Sequence, residues 1–281
     1  MNSNGWPAPA KLNLFLHVTG RRDDGYHLLQ TVFQFLDFQD ELAFDVHRDP
    51  AIRRVGDCPG VAADSDLVVR AARALQSYTG SRLGVDIHIS KHIPMQAGLG
   101  GGSSDAATTL RALNRLWGLE LPLGELAAIG VKLGADVPVF LHGHAAFAEG
   151  VGEELTDLEP AEEWYLIIRP DCSVSTAEIF NDADLTRHTP PITIRDFLAG
   201  RGHNDCLPVV LRRYPQVAEA IDWLGNFSEA RMTGTGSTVF AAFANRAAAE
   251  TVLEQVPAHW FGQVCRGQNQ SPLLQRLRQP D

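Results

Sequence analysis

The chain has 281 residues, 44% hydrophobic and 21% charged, enough apolar material for roughly two domains of about 150 residues each. Its 34 acidic residues exceed the 24 basic ones, for a net charge of −10 that argues against a nucleic-acid surface. No apolar run approaches the roughly 18 residues of a membrane span, and the opening MNSNGWPAPAK lacks a signal layout, so a cytoplasmic protein with no membrane partner is expected.

In chain order, AKLNLFLHVTG (10–20) alternates as a strand does. Ala10, Leu12, Leu14, Leu16 and Val18 share one face, and Lys11, Asn13, Phe15 and His17 the other. RRDDGYH is a polar turn, and LLQTVFQFLDFQDELAFDV returns as strand. SDLVVRAARALQSYTG (65–80) carries a helical stripe of Leu67, Val68, Ala71 and Leu75, with Gly80 suited to a stop. GVDIHISKHI (84–93) is strand-like and runs into PMQAGLGGGSSDAATTL, where Ala106, Leu110, Leu113 and Trp117 predict a helix over 104–117 with serine at its N-cap. LGELAAIGVKLGAD reads as a helix ending at Gly134, and AAFAEGVGEEL as strand and turn. A strand at 163–170 restarts the pattern; helical segments near 193–200 and 206–225 follow, then strand, glycine loop, strand and helix over 230–256. The polar stretch GEELTDLEPAEE sets the domain seam, giving domains 1–154 and 155–281.

Cys58, Cys172, Cys206 and Cys265 are widely spaced with no CxxC pair, as expected of free thiols in a reducing compartment. The HGH at 142–144 has no evident third ligand and is read as structural. Only Lys11, Lys91 and Lys132 are lysines, which makes each worth asking about, since a compact ammonium does work a guanidinium does not.

Four glycines within residues 98–102, between a strand and a helix, point to an anion site. A helix N-terminus offers orphan N–H groups and a positive dipole end, and glycine lets a phosphate approach the backbone. Ser103 and Ser104 would add hydroxyl donors. No GK dipeptide occurs, so the G-x-x-x-x-G-K-[ST] loop is absent; Ser103 stands where G-x-G-x-x-G would need its last glycine.

PMQAGLGGGSSDAA resembles the second motif of the GHMP kinase superfamily, P-x-x-x-G-L-G-S-S-A-A, in a longer glycine-rich form. Three further blocks match in order: PAPAKLNLFLHVTGRRDDGYHLLQTVFQFLD (7–37), LGADVPVFLHGHAAFAEGVGE (133–153) and RMTGTGSTVF (231–240). Two positions depart from the pattern: Gln96 replaces a glycine, and Asp66 an asparagine on the adenine side. The resemblance implies an α+β, two-domain fold: an N-terminal nucleotide domain like domain 2 of ribosomal protein S5, and a ferredoxin-like C-terminal domain.

It also implies an ATP-dependent kinase with Mg²⁺, acting on an alcohol. Asp136 would be the base and Lys11 the cation that keeps it ionised, a physically consistent pairing because a neighbouring cation favours the carboxylate. The nucleotide would be held by Asp66, Lys91, Pro94, Met95, Gln96, Ala97, Gly98, Leu99, Gly100, Gly101, Gly102, Ser103 and Ser104. Asp105 suits the helix dipole and equally a place on the Mg²⁺ side of the phosphates. For the acceptor, Asn13, Tyr26, His27 and Phe180 imply a cytidine-diphosphate-linked polyol, its base stacked on rings. Members that act on homoserine, mevalonate or sugars have no base to stack, and a silent nucleotide sensor would need neither Lys11 nor Asp136.

Overall fold

A computed structural model describes residues 2–56 and 60–279; Cys58 lies outside them. Two long antiparallel strands open the chain, β1 (Asn2–Arg21) and β2 (His27–His47), with Arg21 opposite His27 and Asn2 opposite Asp45. The register slips between Pro9 and Lys11 and again between Asn13 and Leu16, so irregularities bracket the segment that carries Lys11 and Asn13. The alternation expected of a half-buried strand is present, but both faces are covered: Lys11 is 2% and His17 2% exposed. Ala10, Leu12 and Leu14 pack with Tyr165, Ile167 and Phe240, and on the other face Phe15 meets Phe197 and His17 meets His203.

β3 (Ile52–Val55) leads to α1 (Leu67–Thr79), which Asp66 caps by accepting from Val68 N at 3.1 Å and Gly80 ends at φ 68. β4 (Gly84–Ser90) pairs antiparallel with β2 and feeds the glycine loop. The next helix, α2 (Gly101–Leu116), starts earlier than the serine-capped 104–117 expectation: Gly100, at φ 74, takes the cap position. The helix expected to end at Gly134 stops at Gly130: α3 (Leu123–Gly130) is followed by a turn and then by α4 (Val137–His142), which lies beyond the expected helix. They cross so closely that a Cβ on Gly130 would lie 2.7 Å from Leu141 Cδ1, so packing rather than helix propensity sets the break. β5 (Ala146–Glu149) pairs with β2 and with β6 (Glu154–Asp157).

β7 (Trp164–Arg169), α5 (Thr176–Phe180) and α6 (Ile194–Leu198) begin the second half. The helix expected over 206–225 divides into α7 (Leu207–Arg213) and α8 (Pro215–Gly225), because Pro215 forces Tyr214 out of the helical region, to φ −127 and ψ 83. β8 (Ala230–Met232), β9 (Val239–Phe243), α9 (Arg246–Leu253), β10 (Phe261–Gln268) and α10 (Pro272–Arg278) complete the chain. Among the described residues the strands join in the order β3-β4-β2-β10-β7-β9-β8, with β1 on β2 and the β5–β6 pair attached beside them. The halves meet where Gly267 and Gln268 of β10 pair with Leu36 and Phe35 of β2.

Phe35, Leu75, Ile87, Leu110 and Phe140 form the core under α1, α2 and α4; Leu166, Val210, Leu224 and Val239 form that of the second half. α10 returns to the first, burying Leu273 there and setting the Arg276 guanidinium 4.4 Å from the Trp6 ring. Among the described residues no helix is long and apolar enough to cross a membrane.

Candidate active site

A cleft of about 910 Å³ runs from the glycine loop and Asp66, past Lys11 and Asp136, to Phe180. Two loops form its floor, 94–100 and 233–237, packed backbone to backbone. Gly98 sits at φ 75, and a Cβ there would stand 2.5 Å from Thr233 O; at Gly100 (φ 74) it would stand 2.8 Å from the Phe140 ring and 3.0 Å from Lys11 Cε. Both positions exclude a side chain twice over, by conformation and by space. Gln96, the residue that replaces a glycine, is itself left-handed at φ 52.

Beyond this turn, the first N–H groups of α2 have no intrahelical acceptor. Pro94, Met95, Gln96, Ala97, Leu99, Gly101, Gly102 and Ser103 all line the cleft. Ser104 does not complete the cradle as expected. Successive helical residues point about 100° apart, so its side chain turns into the core, fully buried, and its N–H already bonds Gly100 O at 2.9 Å.

Lys11 and Asp136 come together, with Nζ 3.3 Å from Oδ2. Lys11 N donates to Leu99 O at 3.0 Å, tying β1 to the loop, and Nζ donates to Gly98 O at 3.0 Å and Asn13 Oδ1 at 2.5 Å. Asn13 in turn donates from Nδ2 to Thr31 Oγ1 at 2.9 Å. Its carboxamide therefore orients the ammonium, and Asn13, expected at the substrate, also lines the cleft. Asp136 precedes α4 without spending its carboxylate on capping, and its side chain keeps 33% exposure. A carboxylate held by a buried ammonium yet open to the cleft can accept a proton from an alcohol.

Lys91 lines the cleft with its ammonium between two carboxylates, Asp40 and Asp105, the latter at 2.8 Å. Burial works against its charge, but Asp105 and Asp40 outweigh it and raise its pKa. Burial pushes Asp105 up to about 7, with Lys91 pulling down and Asp40 adding to the rise. Asp105, expected on the Mg²⁺ side, is thus committed to Lys91, and among the described residues its Oδ1 is buried without a partner. Asp66, expected at the adenine, does border the cleft, but it also caps α1 and pairs with Arg54 at 2.7 Å. Among the described residues no three His, Cys, Asp or Glu side chains are placed to hold a metal; His142 of the HGH segment bonds Asp157 at 2.5 Å.

At the far end Phe180 lines the cleft; the His27 ring, 5.0 Å from it at 31°, is buried and off the cleft wall. Tyr26 stands apart from this pair, 62% exposed on its turn and off the cleft wall.

A model of the GHMP kinases N terminal domain matches residues 66–144, and one of the GHMP kinases C terminal region matches 192–262. Over 272 residues the chain is 58% identical to the 4-diphosphocytidyl-2-C-methyl-D-erythritol kinase of Pseudomonas savastanoi pv. phaseolicola (strain 1448A / Race 6), covering 97% of this chain and 94% of that one. The chain belongs to the GHMP kinase family. The enzyme of the same name from Nitrosococcus oceani is 57% identical to this GHMP kinase, over 97% of each chain. A crystal structure of 4-(cytidine 5'-diphospho)-2C-methyl-D-erythritol kinase superposes with a TM-score of 0.81 at 30% identity, over 95% of this chain and 99% of that one. The two-domain GHMP kinase fold expected from the motifs is the fold present.

Several residues that shape the site in this GHMP kinase carry no sequence signal. Asp40 lies in a strand with nothing to mark it, yet it is fully buried and accepts from His92 N at 2.6 Å and Ile93 N at 2.8 Å. Asn204 Nδ2 donates to Met232 O at 2.9 Å and Gly234 O at 2.8 Å, holding the second glycine loop against the first. Thr176 and Thr235 hydroxyls meet at 2.9 Å on the cleft wall.

Proposed function

We propose that this GHMP kinase transfers the γ-phosphoryl group of ATP to the C2 hydroxyl of 4-diphosphocytidyl-2-C-methyl-D-erythritol, a step of the methylerythritol phosphate route to isoprenoid precursors. The observation that carries the chemistry is the Lys11–Asp136 pair, 3.3 Å apart in the same cleft as a strand–glycine loop–helix anion site. Relatives of that name, 57–58% identical over 97% of the chain, carry the choice of acceptor.

In this reading the loop from Pro94 to Ser103 receives the triphosphate on backbone N–H groups, a task that needs glycine where the chain turns. Asp136 takes the hydroxyl proton as the acceptor oxygen bonds the γ-phosphorus. The bond from that phosphorus to the β–γ bridging oxygen breaks, and ADP leaves with the bonding pair. Lys11 holds the Asp136 carboxylate in place before the transfer and offsets charge near the attacking oxygen. The described residues form no metal cage. Mg²⁺ bound with the nucleotide would supply charge neutralisation at the phosphates. The His27–Phe180 stack would hold the cytosine. We set the domain boundary at 154/155, with 1–154 nucleotide-binding, and read the enzyme as cytoplasmic.

The test is ADP release with Mg-ATP and, separately, the cytidyl acceptor, homoserine and mevalonate. Release with the first alone is the expected result; release with all three, or with none, refutes the assignment.

A further inference from the structure

Among the described residues the charged side chains lining the cleft are Lys11, Lys91, Asp66, Asp105, Asp136 and Arg169. All but one have a partner of opposite charge: Asp136 has Lys11 at 3.3 Å, Asp105 has Lys91 at 2.8 Å, and Asp66 has Arg54 at 2.7 Å. The exception is Arg169, which no motif singled out. Its Nε is buried without a partner, and among the described residues no carboxylate, carbonyl or ring meets the rest of its guanidinium.

The fold explains how this arginine reaches the cleft. Arg169 is the last residue of β7, and the two-residue period of a strand puts it on the same face as Tyr165 and Ile167. Those two are buried in the core where the halves of the chain meet, so Arg169 stands at the edge of that core, where the cleft opens. The turn after it is fixed by Ser237 Oγ, which donates to Cys172 O at 2.9 Å. Ser173, Thr176 and Thr235 line the cleft from the same half, with the Thr176 and Thr235 hydroxyls 2.9 Å apart, and this wall continues to Phe180. A guanidinium is always charged and can only donate, and a half-buried charge without a counterion is costly. A wall of one arginine and several hydroxyls is therefore complete only with an anion against it.

We infer that Arg169 receives the diphosphate of the acceptor and makes this wall select anionic acceptors over neutral ones. This rests on the functional reading above, in which a diphosphate must span the stretch between a base at Phe180 and a polyol hydroxyl at Asp136. The phosphates of ATP have the glycine loop of the other half; the acceptor's phosphates have this arginine.

The test is calorimetric titration with cytidine and with cytidine 5'-diphosphate, the nucleotide site being filled with a non-hydrolysable ATP analogue so that both probes report the acceptor side. Wild type should bind the diphosphate about 10- to 100-fold more tightly than the nucleoside, the usual effect of hydrogen bonds to a charged group. Arg169→Met keeps the apolar stem and removes the charge and the donors, and should abolish most of that ratio. Arg169→Lys restores charge without the planar fork and should recover part of it. In turnover, Arg169→Met should raise the acceptor KM about 10-fold or more and leave the KM for ATP within about twofold. Because the guanidinium has no protein partner to lose, thermal unfolding of Arg169→Met should match wild type. A marked loss of stability would make the arginine structural and overturn the proposal. So would a wild type that binds the two probes equally, a ratio unchanged in Arg169→Met, or a rise in the KM for ATP in place of that for the acceptor. A ratio lost in Arg169→Met, with no ADP released by wild type and the cytidyl acceptor, overturns the functional reading and leaves the anion site standing.

Discussion

Lys91 Nζ lies 2.8 Å from Asp105 Oδ2 and also contacts Asp40, so the ammonium beside the glycine loop is shared between two buried carboxylates. The acid at the start of α2 thus has a partner across the loop, and α2 is tied at its first turn to the strand end that precedes it. Asp40 extends the tie by capping His92 N and Ile93 N. The loop is held on this side by charge.

This arrangement makes stability depend on pH. Asp105, pushed up to about 7 mainly by burial, keeps in the folded state a proton that the unfolded chain loses at an ordinary carboxylate pKa of 3.8. Its contribution is therefore fully present below that value and is lost as pH rises through about 7. Urea denaturation from about pH 5 to about pH 8 should show the wild-type midpoint falling through this window. Asp105→Asn, which cannot ionise, should flatten the fall; an equally steep fall in the variant would place the titration elsewhere.

Asp136→Asn should lower turnover by about 10²- to 10⁴-fold, the usual range for a general base. Nucleotide binding, measured by titration with a fluorescent ATP analogue, should change little, because Asp136 faces Lys11 and the acceptor side. Loss of nucleotide binding in this variant would mean that its role has been misassigned.

The loop can be tested at two neighbouring positions with opposite signs. Gln96 at φ 52 pays a conformational cost that Gln96→Gly should relieve, stabilising the protein by about 0.5–1 kcal/mol. Gly98→Ala should destabilise by about 2–4 kcal/mol, since strain at φ 75 adds to a Cβ 2.5 Å from Thr233 O. Guanidinium unfolding at fixed pH reads both.

Asp66 combines a cap with a buried ion pair, and two substitutions separate these parts. Asp66→Asn keeps an oxygen for Val68 N and loses the charge beside Arg54, whose side chain is 7% exposed. Asp66→Ala loses both and should cost about 1 kcal/mol more. The shared term, an uncompensated buried arginine, is about 3 kcal/mol. Equal stability of the two variants would show that the cap contributes nothing.

Much of the site was readable because its residues sit in local patterns. Lys11 and Asn13 share a strand face, and Asp136 stands in a short apolar segment between glycine and proline. The loop announces itself by four glycines in five positions. The misreadings are equally specific. Serines 103 and 104 looked alike, but helical rotation sends one into the cleft and buries the other. The helix expected to end at Gly134 stops at Gly130, where α4 packs against it.

What the sequence determined by itself was the alternating and helical periodicity, the glycine loop and the family blocks, because each depends on neighbours a few residues away. Only the tertiary structure decided which charges meet. Lys91 finds Asp40 51 residues away, and Arg187 finds His27 160 residues away. No periodicity links such partners. They are joined by antiparallel strands and by the packing of the chain's two halves, and burial then makes each unpaired charge costly enough that the pairing is obligatory.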